Sequence, residues 1–451
     1  MFVQLYQNIF FRFLDVLRAR NNIKRLKFLR KSQFWSKEQI ENHQLTQLNK
    51  LLNFVVRHNR FYQEFYKDLS LPLKSIQELE QFPILTKNHI RQHLEDLKSK
   101  NINSKRFVKT NTGGSTAEPM VFYWDKQGQD WNRASVYRAA EWAGVHLGEK
   151  TAQFVGSHYD ISKFESIQWK LIHWAQRYKI FPVAEMSDEL FHKHFQQIQK
   201  YKPTSIWGYT HGIYNFAKFV KENYPNSDFS FIKAVFTSSE TLFGYHRELI
   251  NEVFGENKVY DQYGAREMYI ASECSMHEGY HCHSETVITE LVNPDGSWVP
   301  DGERGKVLLT ELYNYAFPLI RYEIGDVAIA KKEQGCKCGL NHPMLESIEG
   351  RIPDMVILKN RIISPSNWAI MLAEIEGIES FQIVQETLDH IKLNLKITKN
   401  FKKEKEGFIS DYLTKILKND ATFEIKYVED IVTPKSGKRR WVISKIAEKN
   451  L

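Results

Sequence analysis

Cysteine is scarce. The chain has four in 451 residues, two of them together as Cys336-Lys337-Cys338. So few exclude a disulfide-stapled scaffold and leave reduced thiols or a metal knuckle. Long apolar runs are missing too: none reaches the roughly 18 residues that cross a bilayer, and no leader with a small-residue cleavage site is evident. The expected compartment is the cytoplasm. Basic stretches dense enough for nucleic acid are also lacking, since the net charge of +8 comes from Lys and Arg scattered along the chain. That pattern implies small anionic ligands and no nucleic-acid partner. No internal repeat or low-complexity linker stands out. What is there, 42% hydrophobic and 26% charged residues, is the composition of a globular chain long enough for two or three domains.

The densest local signal is Thr112-Gly113-Gly114-Ser115-Thr116-Ala117-Glu118-Pro119. Paired glycines let consecutive N–H groups turn toward one anion, while Thr112, Ser115 and Thr116 add hydroxyl donors without bulk. Apolar runs at Phe107-Val108 and Val121-Phe122-Tyr123-Trp124 flank it, predicting a loop between two strands of a hairpin. It has neither the Gly-Lys-Ser/Thr ending of a Walker loop nor Gly-x-Gly-x-x-Gly. Taken alone, it reads equally well as a phosphate cradle and as a polar hairpin turn.

Residues 2–20 put Leu5, Ile9, Phe13 and Val16 on one helical face, with Phe2 and Leu17 beside them and Arg12, Asp15, Arg18 and Arg20 largely elsewhere. Such an amphipathic helix can make peripheral contact with an anionic membrane; packing on the body of the protein or on a partner is the commoner use. Helices continue over 36–98, where Ser36 and Gln39 predict a capping box and Pro72 and Pro83 interrupt the runs. From the loop to about residue 348, helical stretches alternate with β-rich runs at 152–155, 205–209 and 233–237, the rhythm of an α/β domain with a largely parallel sheet. Beyond Val259, runs at 286–290 and 306–310 around the turn Asn293-Pro294-Asp295-Gly296 predict antiparallel hairpins. A boundary near Gly350-Arg351 separates a large domain, 1–349 with a helical start over 1–100, from a small α/β module, 350–451.

Four further segments follow in order: Tyr263-Gly264-Ala265-Arg266-Glu267, Pro318-Leu319-Ile320-Arg321-Tyr322-Glu323-Ile324-Gly325-Asp326, Gly350-Arg351-Ile352-Pro353-Asp354 and Ser436-Gly437-Lys438. With the glycine-rich loop they resemble the adenylate-forming (ANL-type) ligases, and within them the phenylacetate-CoA ligase branch and its capsular-polysaccharide CapK-type relatives, from about Trp35 to the end. The resemblance implies an α/β adenylate-forming fold, a large domain of mixed sheets and helices followed by a small one. It implies that a small carboxylic acid attacks the α-phosphate of ATP, that pyrophosphate leaves, and that a thiol or amine, coenzyme A or an amino sugar, takes the acyl group. By the same comparison Thr112, Gly113, Gly114, Ser115 and Thr116 hold phosphate, and Glu267 keeps Mg²⁺ beside it. Tyr263, next to Gly264, offers a ring to adenine, Asp326 accepts from the ribose hydroxyls, and Arg351 meets the nucleotide at the domain junction. Lys438, on a mobile loop, reaches carboxylate and α-phosphate together. A noncatalytic nucleotide-binding or scaffold member of the same fold is the alternative.

The chain departs from the family pattern at four positions. Ala117 replaces a glycine, Glu118 stands where lysine is frequent, and Arg266 where Ser or Thr is usual; Arg266 can compensate by pairing with Glu118 or by touching phosphate. Pro353 occupies the hinge position, and because proline fixes φ at about −65° the domain swing needs neighbouring torsions. Cys274, His281, Cys336 and Cys338 form a candidate set for one structural Zn²⁺, with His277, Cys282 and His283 as competing ligands. Similar Cys and Gly-x-His positions, here Gly279-Tyr280-His281, in some phenylacetate-CoA ligase-like proteins favour that set. Aromatic residues at Phe154 to Tyr159 and Trp207-Gly208-Tyr209 are candidates for an acyl pocket.

Overall fold

The computed structural model of the chain describes residues 3, 6–111, 120–155, 166–183, 187–351, 354–359, 362–363, 368, 372, 375–418, 420–431 and 440–446. The glycine-rich loop 112–119, the hinge pair Ile352-Pro353 and the lysine loop with Lys438 lie outside these residues. Helices open the fold at Asn22–Ser32, Lys37–His58 and Arg60–Phe65. The second begins with the expected capping box: Ser36 accepts from the Gln39 N–H, and the Gln39 side chain accepts from the Ser36 N–H. Helical spacing of Leu48, Leu51, Leu52 and Val55 buries these four in the main core.

Strands β1 (Phe107–Asn111) and β2 (Val121–Asp125) form the predicted antiparallel hairpin around the glycine-rich loop. Next come β3 (Thr151–Val155), β4 (Tyr178–Pro182), β5 (Ser205–Tyr209), β6 (Ala234–Ser238) and β7 (Val259–Gly264), all parallel to one another. The later strands are β8 (Tyr269–Glu273), β9 (Tyr280–Cys282), β10 (Val287–Val292), β11 (Arg304–Glu311), β12 (Tyr322–Ala330) and β13 (Met344–Arg351). The expected parallel sheet and antiparallel hairpins prove to be halves of one 11-stranded sheet, ordered β10-β11-β12-β13-β9-β8-β7-β6-β5-β3-β4. The halves join at β7, which pairs parallel with β6 on one side and antiparallel with β8 on the other. Sequence reading missed β4, which ends in Pro182; proline is tolerated there because β4 is an edge strand.

Alternation along these strands assigns the aromatics. Phe154, Ile206 and Val235 share a core with Ile198, Phe216 and Ile250 from the covering helices. Phe154 is 1% exposed and stacked on Phe181, which corrects its reading as a pocket residue; 156–159 lie outside the described residues. Trp207 points to the other face and lies against Phe236 with centroids 4.1 Å apart. Gly208 between them is required, because a Cβ there would fall 2.4 Å from the Phe154 carbonyl oxygen.

After β14 (Val356–Ile357) and β15 (Ile362–Ile363), the strands β16 (Ile378–Thr387), β17 (His390–Ile397), β18 (Thr422–Tyr427) and β19 (Val442–Ser444) form a sheet ordered β18-β17-β16-β19. The helix Lys405–Leu417 covers it with Ile409, Leu413 and Leu417, and Phe243 from the larger body enters the same cluster.

The amino-terminal helix departs from expectation. Running from Tyr6 through Leu17, it buries Gln7, Phe11 and Asp15, while Ile9, Phe13, Val16 and Leu17 face outward. Of the uses expected for this stripe, packing on the body of the protein is therefore set aside, while a partner or a membrane surface is not.

Candidate functional site

The site is assembled around the start of β12. Arg321, fully buried with φ +47°, donates to both Glu290 carboxylate oxygens and to the carbonyls of Glu80, Phe82 and Gly296. It thereby clamps segment 80–82 onto the sheet. Just beyond, the Leu85 N–H donates to Arg321 O at 3.0 Å and the Glu323 N–H donates to Leu85 O at 2.9 Å, extending the ladder. Lys87 follows at the first turn of a short helix capped by Thr86, and its Nζ donates to Ile324 O at 2.6 Å. Burial pushes the Lys87 ammonium down, as does Arg351, while Asp326, Glu267 and Glu323 work the other way. Lys87 thus shares the field of the carboxylates named from sequence, which did not reveal it. The only local sign is the helix start at Thr86; the contact lies 237 residues away.

Two tyrosines orient two carboxylates. Tyr322 donates to Glu267 Oε1 at 3.1 Å, and Tyr263 donates to Asp326 Oδ2 at 2.9 Å. Burial first, and then the adjacent carboxylate, holds each phenol well above its ordinary range, so both remain donors. Tyr263 is only 8% exposed, within the main core; its visible role is support of Asp326. Gly264 lets the β7–β8 turn close, a Cβ there meeting the Tyr269 ring at 3.1 Å. Arg351 stands opposite Asp326 in the β12–β13 register, with Nε 3.5 Å from Oδ1. Burial lowers that guanidinium, but Asp326, Asp354 and Glu267 more than offset it and the net shift is upward. Asp354 accepts from Arg440 Nε at 2.8 Å, a further contact that sequence reading missed, two residues beyond Lys438.

Arg266 lies at the root of the glycine-rich loop: its Nη1 is 3.4 Å from Asn111 O on β1, and its carbonyl accepts from Trp124 Nε1 on β2 at 3.0 Å. Contacts to Glu118, and the predicted roles of Thr112, Gly113, Gly114, Ser115, Thr116, Pro353 and Lys438, fall outside the described residues.

Cys274, His281, Cys336 and Cys338 converge, their ligand atoms all within 4.8 Å of one another. Cys274 Sγ is 3.6 Å from Cys336 Sγ, and Cys338 Sγ is 3.3 Å from His281 Nε2. Those separations suit a tetrahedral Zn²⁺ with bonds of about 2.0–2.3 Å. Burial and the neighbouring His342 and Arg138 push His281 down to about 3, so the imidazole is neutral, as a ligand must be. The competing ligands turn elsewhere. Cys282 joins the main core, His283 accepts from Arg138, and His277 faces Asn257 and Glu273. Strand alternation between His281 and Cys282 decides which enters the cluster.

Residues 356–445 match the family model described as the CapK C-terminal domain. Protein CapK of Staphylococcus aureus is 25% identical over 413 residues, 87% of either chain. The chain thus resembles CapK along most of its length. Phenylacetate-coenzyme A ligase of Thermus thermophilus is 33% identical over 141 residues, 30% of this chain and 32% of the relative. Among solved structures, 2-hydroxyisobutyryl-CoA ligase in its postadenylation state, with R3-HIB-AMP bound, superposes with a TM-score of 0.74 at 21% identity, covering 92% of each chain. The fold is that of the adenylate-forming ligases.

Proposed function

We propose that the chain joins a small carboxylic acid to the α-phosphate of ATP, releasing pyrophosphate, and passes the acyl group from the acyl-adenylate to an acceptor, releasing AMP. The observation that carries this reading is the convergence of Glu267, Asp326, Arg351 and Lys87 along the first half of β12, on the fold of ligases that work through acyl-adenylates. In this reading Glu267 holds Mg²⁺ against the phosphates, Asp326 takes the ribose hydroxyls, and Arg351 and Lys87 balance the anionic charge. Residues 112–116 cradle phosphate and Lys438 bridges the reacting groups. The large and small domains divide near residue 350, with Pro353 at the hinge. Coenzyme A is the first acceptor to test, because two of the similar proteins are CoA ligases by name; an amino sugar in capsular-polysaccharide synthesis is the second, resting on the CapK likeness. A carboxylate panel assayed for ATP-dependent pyrophosphate release should yield at least one active acid and AMP as coproduct. ADP as product would overturn the AMP-forming reading, and silence across the panel with nucleotide still bound points to the noncatalytic alternative.

The cysteine–histidine cluster has a structural role in this reading, a closed four-ligand Zn²⁺ tying the β8–β9 turn to the segment before β13. About one zinc per chain should copurify, measured by elemental analysis. Cys336→Ser should lower the thermal midpoint more than it weakens nucleotide binding. A metal-free, stable wild-type chain would leave Cys274, Cys336 and Cys338 as ordinary thiols.

A further inference from the structure

The outward stripe of the amino-terminal helix has a neighbour. The helix Ile167–Gln176 turns Ile167, Leu171 and Trp174 to solvent at 78, 62 and 74% exposure, while Ile9, Phe13, Val16 and Leu17 are 62, 58, 72 and 65% exposed. Tyr6 joins the two helices, its hydroxyl donating to the Ala175 carbonyl. On its inner side the first helix is held by Phe11, packed among Ile23, Leu26, Trp131 and Tyr137, so the stripe is presented by a fixed support. These seven large apolar side chains form two clustered stripes, unlike the single exposed residues common on any surface.

Charge selects the occupant. Between residues 6 and 20 the only acidic residue is Asp15, which is buried and accepts from the Asn22 side chain and the Ile23 N–H. Residues 167–176 contain no acidic residue at all, and Arg12, Arg18 and Lys170 are exposed around the stripes. A second copy docking here would set these cations against their own counterparts with no carboxylate to pair them. A negatively charged lipid surface meets both features, and an exposed tryptophan suits the headgroup layer. No helix among the described residues is long and apolar enough to cross a membrane. We propose that the helices 6–17 and 167–176 together seat the chain flat on an anionic membrane surface.

The test is cosedimentation of the full chain with phosphatidylcholine vesicles made with and without phosphatidylglycerol. Binding should require the anionic lipid and weaken with salt. Phe13→Glu combined with Trp174→Glu should cut partitioning at least about tenfold, and Arg12→Gln or Lys170→Gln about fivefold each. Thermal unfolding of the variants should match wild type, since all four positions are exposed. The proposal fails if neither vesicle is bound, if both are bound equally, or if the glutamate variant binds as wild type does. It also fails if Phe13→Glu instead abolishes a concentration-dependent dimer in vesicle-free solution, which would make a second copy the occupant.

Discussion

Lys438→Ala should slow formation of the acyl-adenylate by at least about a hundredfold while leaving thermal stability unchanged. The proposed reaction brings a carboxylate against a phosphate, two anions whose repulsion rises as the bond forms. A compact ammonium placed between them counts most at that moment, which is why its loss falls on the rate. A hundredfold corresponds to about 2.7 kcal/mol of transition-state stabilisation. The other cations at the site are committed: Lys87 Nζ donates to Ile324 O, and Arg351 faces Asp326. Neither is placed to take over the role proposed for Lys438. Pyrophosphate–ATP exchange with an active acid isolates this half-reaction. An exchange rate within a few fold of wild type would remove Lys438 from the mechanism.

Arg321→Met should be the most damaging change away from the chemistry, costing about 3–5 kcal/mol of stability. The guanidinium is enclosed by Glu290 and three carbonyls, so its removal leaves a buried carboxylate supported mainly by Trp298 Nε1 at 2.8 Å. Glu290 already titrates above its ordinary value, burial being the main cause and Arg321 and Trp298 opposing it. A carboxyl whose folded value exceeds its unfolded one binds a proton more readily when folded, so stability rises as pH falls through that folded value. Without Arg321 the folded value climbs further. The variant's deficit should be largest above the folded value and shrink on acidification through it by up to about 1.4 kcal/mol per pH unit. Denaturant unfolding of both proteins across that range gives the difference directly. A deficit that is flat, or that grows in acid, would mean Glu290 is not the uncompensated group.

Local chemistry was legible wherever it depends on neighbours in sequence. Ser36 and Gln39 declared their cap, and the β1–β2 hairpin followed from two apolar runs around a glycine pair; the set Cys274, His281, Cys336 and Cys338 was favoured over its competing ligands only by the family resemblance. Which partner lies opposite was not legible. Lys87 reads as a solvent lysine at a helix start until Leu85 is seen beside Tyr322, and Arg440 as part of a basic loop until Asp354 is placed next to it. Periodicity found the apolar face of the first helix but not its direction, because Phe11 and Asp15, which fix it inward, do so through contacts with residues 22–26 and beyond. Phe154 looked like pocket lining for the same reason: aromatic character does not say which side of a sheet a residue takes.

The clamp at Arg321 also sets an order of events during synthesis. Tyr62, Glu80, Phe82 and Leu85 find their partners at residues 318–323, between 236 and 256 positions later. At elongation speeds of about 5–20 residues per second, the emerging helical region waits roughly 10 to 50 seconds for the strand that completes it. Throughout that interval Leu48, Leu51, Leu52, Val55 and Tyr62, which end fully buried, have no finished sheet to cover them. The nascent chain is therefore most exposed to aggregation before β12 leaves the ribosome, and cellular yield should depend on chaperone capacity during translation more than on the stability of the finished protein.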